Sequence, residues 1–392
     1  MTFTQDISMT NQAPWMDEEM VLLQDVAARF AREELVPQID RWEKQGFVDR
    51  AAWLKAGEVG LLGAGIPVDY GGGGGSLGHE LVIYNEIVRA GLSGGFGAGY
   101  SVSSGIVAHY ILAYGTEEQK QRWLPSMASG AIIGAIAMTE PGAGSDLQNI
   151  RTTAKQVESG YAINGSKTYI SNGQCADLVV VVAKTDPAMG AKGISLVVVE
   201  AEKASGFKRG RNLEKIGMHS QDTSELFFED CIVPADNLLG GAPGQGFVQL
   251  MQQLAFERML IAIASIAAVE QAVELTREFV HDRSMFGQKL WDFQNTQFKL
   301  AECKTLAVVG RAFVDTLIAR LIAGELDPAT AAMAKLWATE TQGKVVDECL
   351  QLFGGAGYMT EYPIARLYAD GRVSRIFGGS NEVMKMIIAR TL

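Results

Sequence analysis

The sequence predicts an α+β protein in three consecutive parts: a helical domain over 1–130, an antiparallel β domain over 131–241 and a helical-bundle domain over 242–392. Two observations carry this. Apolar residues recur at helical spacing up to about position 130 and again from about position 242. Between these limits, short runs of β-branched and aromatic residues take over, punctuated by Gly, Asn and Asp. A chain that is 47% hydrophobic and 20% charged has the composition of a soluble globular protein.

In the first part, Asp17-Glu18-Glu19 places acids at the positive end of an amphipathic helix that carries Val21, Leu22, Val26, Ala27 and Phe30. Further helices are expected at 50–56, 79–90, 101–114 and 117–123. The last opens on a capping box, Thr116 with Gln119, and Pro125 marks its expected end. Pro67-Val68-Asp69-Tyr70 and five glycines, 71–75, read as a loop, since no Lys follows in the spacing a phosphate cradle needs.

In the second part, strands are expected at 161–163, 169–170, 178–182, 194–199 and 226–233, with Asn164-Gly165 as a hairpin turn between the first two. In the third, one helix is expected from 246 to about 283 and another from 292 to 323. A further helix opens on Asp327-Pro328, an N-cap with Pro at the first helical position, and is stopped by Gly354-Gly355. Short links between long helices favour antiparallel packing.

The first of these long helices contains Leu254-Ala255-Phe256-Glu257-Arg258-Met259-Leu260-Ile261, one charged step in an apolar run. From Leu254 to Val269 there is no Pro or Gly, and apart from that step only Ser265 is polar, the pattern of a buried helix. A carboxylate in such surroundings resists ionising, which is the condition a general base near neutral pH needs. A structural ion pair with another helix fits the same residues. Arg258 points about 100° away around the helix, where a solvated or structural role is the simpler reading.

A net charge of -11 argues against nonspecific nucleic-acid or membrane-surface binding. The apolar piece at 259–269 is too short to cross a bilayer. Four scattered cysteines and four scattered histidines suggest neither a disulfide framework nor a metal site. Residues 1–20 contain no Lys or Arg and four acids, the opposite of a targeting peptide, and the final Arg390-Thr391-Leu392 is no peroxisomal signal. The expectation is a cytoplasmic protein.

The most specific string is Ala137-Met138-Thr139-Glu140-Pro141-Gly142-Ala143-Gly144-Ser145-Asp146-Leu147, a strand end followed by a turn whose glycines let backbone approach a flat ligand or a phosphate. Four others follow: Tyr169-Ile170-Ser171-Asn172-Gly173; Asp282-Arg283-Ser284-Met285-Phe286-Gly287 with Gln294 beyond; Gln351-Leu352-Phe353-Gly354-Gly355; and Ile376-Phe377-Gly378-Gly379-Ser380-Asn381-Glu382. In this order, over a helical, β, helical chain, they resemble the acyl-CoA dehydrogenase family. The pattern is most like its long-chain and isovaleryl branch.

The resemblance implies FAD as cofactor, an acyl-CoA substrate, an electron-transferring flavoprotein as acceptor, and a homotetramer. Met138, Thr139, Tyr169 and Ser171 match positions around the flavin ring. Arg283, Phe286, Gln294, Gln351, Gly354 and Gly355 match positions that hold the FAD adenosine and pyrophosphate, partly from a neighbouring subunit, and Ser380 and Glu382 match further cofactor contacts. Ser145 matches a CoA contact, and Arg258 a residue that shapes the surroundings of substrate and base.

Many family members carry the catalytic Glu in a Tyr-Glu-Gly-Thr string, and the matching string here is Phe377-Gly378-Gly379-Ser380. In the long-chain and isovaleryl branch the base sits instead on the long helix, in a Glu-Arg pair like Glu257-Arg258. The resemblance therefore assigns Glu257 as the base and the Gly378 N–H as an oxyanion donor, for α,β-desaturation of an acyl-CoA. The small side chains of 93–101 suggest an open acyl cavity and hence a medium, long or branched chain; loop flexibility fits the same glycines. A flavin oxidase or monooxygenase, and a catalytically silent binding protein on the same fold, are the competing expectations.

Overall fold

The computed structural model describes residues 13–392, so the N-terminal charge pattern expected to bear on location falls partly outside the described residues. Among the described residues the first domain forms seven α-helices: α1 Glu18–Phe30, α2 Ile39–Gln45, α3 Arg50–Glu58, α4 Leu77–Ile87, α5 Phe96–Tyr100, α6 Ala108–Tyr114 and α7 Glu117–Ala128. Asp17 caps α1 by accepting from the Met20 N–H at 2.8 Å. Wider π-helical turns occur at Ala31–Leu35, Val88–Leu92 and Ser101–Val107, a form frequent at functional sites.

The Thr116–Gln119 capping box forms. Pro125, by contrast, lies inside α7 and does not end it. Trp123, Leu124, Met127 and Ala128 are all buried across it, and that packing outweighs the backbone hydrogen bond a proline removes.

Seven strands form one sheet: β1 Gly134–Ala137, β2 Thr153–Val157, β3 Gly160–Ser171, β4 Leu178–Lys184, β5 Ile194–Glu200, β6 Phe207–Asn212 and β7 Thr223–Val233, in the order β1-β4-β2-β3-β7-β6, with β5 on β4. It is antiparallel except where β1, and one residue of β2, run parallel to β4. Asn164-Gly165 is no turn. It lies inside β3 at an irregularity against β7, where Gly165 has φ +151 and a Cβ would strike Thr152. The NG signal marks a bulge that bends one long strand. Alternate residues of β4 serve two cores, Leu178, Val180 and Val182 against α6 and α7, and Val179, Val181 and Ala183 against β3 and β7.

The third domain holds α8 Gly246–Asp282, a short hairpin of β8 Ser284–Met285 and β9 Gln288–Lys289, α9 Gln294–Ile322, α10 Pro328–Phe353, α11 Pro363–Gly371 and α12 Asn381–Ala389. Asp327 caps α10 as expected, accepting from the Ala329 and Thr330 N–H groups. By length and composition α8 could cross a membrane, but 67% of its most apolar window is buried inside the protein. Its Phe256, Met259, Leu260, Ile263 and Ile266 join the core of the first domain to α9 and α10. The middle of α8 is thus enclosed by two domains, and it carries Glu257.

Candidate active site

Glu257 is 7% exposed. Burial pushes its carboxyl up to about 7; a hydrogen bond from Tyr110 and the charge of Arg258 work the other way. Tyr110 stands on α6, wholly buried, and its hydroxyl donates to Glu257 Oε1 at 2.9 Å. The neighbouring His109 bonds Glu80 of α4 and packs edge-on against Phe256 of α8, so α6 is anchored to both helices next to that donor. The surroundings suit a proton acceptor that changes state near neutrality.

One helical turn on from Glu257, Ile261 reaches the glycine turn of the last motif. A Cβ at Gly378 would fall inside van der Waals contact of Ile261 Cδ1, and Gly378 and Gly379 have φ +63 and +87. The left-handed backbone favours glycine there, and Ile261 occupies the space a side chain would enter. The structure thus brings Gly378 against the helix face that holds Glu257. Arg258 is buried too, contrary to a solvated reading, and its Nε has no hydrogen-bond partner among the described residues.

The first motif is held from beneath by a pair that the sequence did not reveal. Lys167 of β3, fully buried, donates to the Met138 carbonyl at 3.0 Å and to Glu140 Oε1 at 2.9 Å. Glu140 also accepts from the Arg151 and Thr152 N–H groups. Burial lowers the Lys167 ammonium to about 8 although Glu140 opposes this. Above this pair Thr139 is half-buried and Ser145 exposed, and the backbone at Gly142 and Gly144 faces open space. Tyr169, beside it on β3, is 69% exposed at φ +60, and Ser171 is half-buried. A non-glycine residue held at positive φ is strained, and such strain concentrates at ligand sites.

Arg283, Phe286, Gln294, Gln351, Gly354 and Gly355 are all exposed. They gather where α8 ends, α9 begins and α10 ends, an end fixed by the Phe279–Phe353 stack. From Glu257 to Arg283 is about 39 Å along the helix axis at the standard rise. The structure therefore does not bring the adenosine-type positions of a chain to its own Glu257. Ser380 and Glu382 flank the start of α12, beside the Gly378 turn.

The glycines of 93–101 serve close packing. A Cβ at Gly94 would strike Asp370 of α11, one at Gly95 Ser220, and one at Gly99 would lie 3.0 Å from Asn172 and Trp53. They admit neighbours from the other two domains, so the open cavity expected from them is not formed by them.

Sequence reasoning also passed over Tyr110 and Lys335. Lys335 of α10, 0% exposed, donates to the Gly379 carbonyl at 2.9 Å and to Asn381 Oδ1 at 2.8 Å. It was detectable as Glu257 was, as a lone charge in the apolar run Ala331-Ala332-Met333-Ala334-Lys335-Leu336-Trp337-Ala338.

Flat-ligand and phosphate-binding chemistry is present at two separate places: hydroxyls at 139, 145, 171 and 380 with the exposed Tyr169 ring and open glycine backbone at one, and Arg283 with the exposed Phe286 ring at the other. It fits a flavin nucleotide. Models of the acyl-CoA dehydrogenase N-terminal, middle and C-terminal domains match residues 17–131, 135–231 and 244–392. The long-chain specific acyl-CoA dehydrogenase of Mus musculus is 48% identical over 95% of this chain and 86% of its own.

The chain belongs to the acyl-CoA dehydrogenase family. An isovaleryl-CoA dehydrogenase of Solanum tuberosum is 34% identical over 96% of this chain and 91% of that protein. A crystal structure of an acyl-CoA dehydrogenase from Geobacillus kaustophilus superposes with a TM-score of 0.93 at 47% identity, covering 97% of this chain and 99% of that one. As an acyl-CoA dehydrogenase with no carboxylate at position 378, the enzyme keeps a buried one on α8.

Proposed function

We propose that Glu257 removes the α proton of an acyl-CoA thioester, giving the trans-2-enoyl-CoA. One observation carries this: a buried carboxylate, hydrogen-bonded by Tyr110 and pushed by burial up to about 7, stands one helical turn from Ile261, which packs on the Gly378 turn. The α C–H is acidified when the thioester oxygen is held by donors, and the Gly378 N–H is the donor this chain offers. Tyr110 stabilises the ionised, accepting form of the base. Enclosure by two domains keeps water from the developing enolate. FAD, when bound, supplies the acceptor for the β hydride. Met138, Thr139, Tyr169 and Ser171 would hold its ring, with Ser380 and Glu382 nearby and Ser145 toward the CoA.

Arg283, Phe286, Gln294, Gln351, Gly354 and Gly355 would complete the cofactor site of a neighbouring copy. The distance of about 39 Å along α8 supports this, as does Phe286, 88% exposed at φ +51, which has the look of a contact waiting for a partner. A homotetramer in the cytoplasm, passing electrons to an electron-transferring flavoprotein in fatty-acid β-oxidation, completes the reading. The acyl group is read as medium, long or branched, the range that the long-chain and isovaleryl relatives bracket by name.

Anaerobic bleaching of the bound flavin by a series of straight and branched acyl-CoAs tests activity and substrate together. Bleaching by none of them refutes the proposal. An aerobic arm in which peroxide forms at the rate of turnover would make the enzyme an oxidase instead.

A further inference from the structure

Residues 374–381 hang on one face of α10 through a row of side chains at i, i+4 and i+7. Ser374 donates to Gln342 Oε1 at 3.0 Å, Asn381 Nδ2 donates to Thr339 Oγ1 at 3.0 Å, and Lys335 Nζ donates to the Gly379 carbonyl. Of these, only the bond from Lys335 reaches the two glycines themselves. Two successive glycines at positive φ have no side chain to fix them and the largest backbone freedom of any residue pair. Ile261 closes one side of the turn and Lys335 holds the other.

Lys335 is an expensive way to do this. Its side chain is fully buried and no carboxylate lies within ion-pair distance among the described residues; the buried cation Arg258 opposes its charge, and Glu340 and Glu382 favour it from farther off. A buried charge whose direct hydrogen-bond partners are all neutral is costly to desolvate. An apolar side chain of similar length, such as Met, would fill the same space without a charge.

We propose that Lys335 is a positioning residue, whose hydrogen bond to the Gly379 carbonyl holds the Gly378 N–H where the substrate's thioester oxygen is received. This rests on the reading of Gly378 as the oxyanion donor. The bond fixes the Gly379–Ser380 peptide unit, two units on from the one that carries the Gly378 N–H, and so limits from that side the rotation open to the two glycines.

The test is Lys335→Met in the FAD-loaded enzyme, with steady-state kinetics, flavin content and thermal melting measured side by side. A misplaced donor costs roughly tenfold to a hundredfold in rate, so kcat is expected to fall by that factor. KM should stay within about threefold, flavin content unchanged, and the melting temperature equal or higher, because an unpaired buried charge has been removed. Unchanged kcat overturns the proposal, and so does a loss of kcat that comes only with lost flavin or a lowered melting temperature. Lys335→Gln keeps a neutral donor and covers the case in which the Met variant does not fold. It is expected to fold, with kcat below wild type by at least threefold and KM unchanged; wild-type kcat overturns the proposal. Absence of bleaching in the wild-type enzyme would instead refute the dehydrogenase reading, so the two failures are distinguishable.

Discussion

The hydroxyl of Tyr110, on the first domain, donates to Glu257 Oε1, on the third, at 2.9 Å, and no solvent reaches either ring or carboxylate to any large extent. The bond favours the ionised base against the burial that disfavours it. Tyr110→Phe removes that support, so the Glu257 carboxyl moves further above about 7. A shift of roughly one unit lowers the ionised fraction at pH 7 and with it the bleaching rate, by roughly threefold to tenfold. The deficit should shrink at pH 9. The pH profile of single-turnover bleaching checks this, and an unshifted profile contradicts it.

Glu257 also affects stability. Its folded pKa of about 7 lies above its ordinary value of 4.5. The folded state therefore holds the proton more tightly than the unfolded chain, and stability falls as pH rises through that window. Glu257→Gln cannot ionise. At pH 4, below the unfolded value, the variant and the wild type should melt together, and at pH 8.5 the variant should melt a few degrees higher, for a difference on the order of 3 kcal/mol. A gap that does not change between the two pH values would contradict the assignment.

Gly378→Ala tests why this position is bare. The added methyl meets Ile261 and sits on a backbone at φ +63. A loss of about 1–2 kcal/mol is expected from the left-handed conformation, with more from the clash. Adding Ile261→Ala should recover the clash and leave the conformational part, as a double-mutant cycle measures. Strict additivity would mean that the two residues do not meet.

Lys167→Met cuts the Met138 carbonyl loose and leaves Glu140 buried without its cation. Breaking one side of a buried pair costs roughly 3–5 kcal/mol, and the effect should appear first as weaker flavin retention. Flavin content after gel filtration, followed by melting, shows the order. Full retention at reduced stability would confine Lys167 to folding.

Much of the fold was legible because it is local. The 3.6-residue pattern of α8, the Asp327 cap and the Thr116 capping box are written within a few residues of where they act. Glu257 stood out because a charge in an apolar run is visible without a structure. Its donor did not, since Tyr110 is one aromatic among many on a helix 147 residues away in sequence. Asn164-Gly165 misled because a glycine at φ +151 fits a bulge as well as a turn. The glycines of 94–99 misled for a related reason: absent side chains say only that something is near, and here Asp370 and Ser220 fill the space.

The central claim is that Glu257 is the base, and anaerobic stopped-flow bleaching of Glu257→Gln against the wild type, at equal flavin content, tests it directly. The wild type should bleach with a medium, long or branched acyl-CoA. The variant should bind the same acyl-CoA with comparable affinity and bleach slower by about a thousandfold or more, as expected when the proton acceptor is removed. Bleaching of the variant at the wild-type rate would place the base elsewhere.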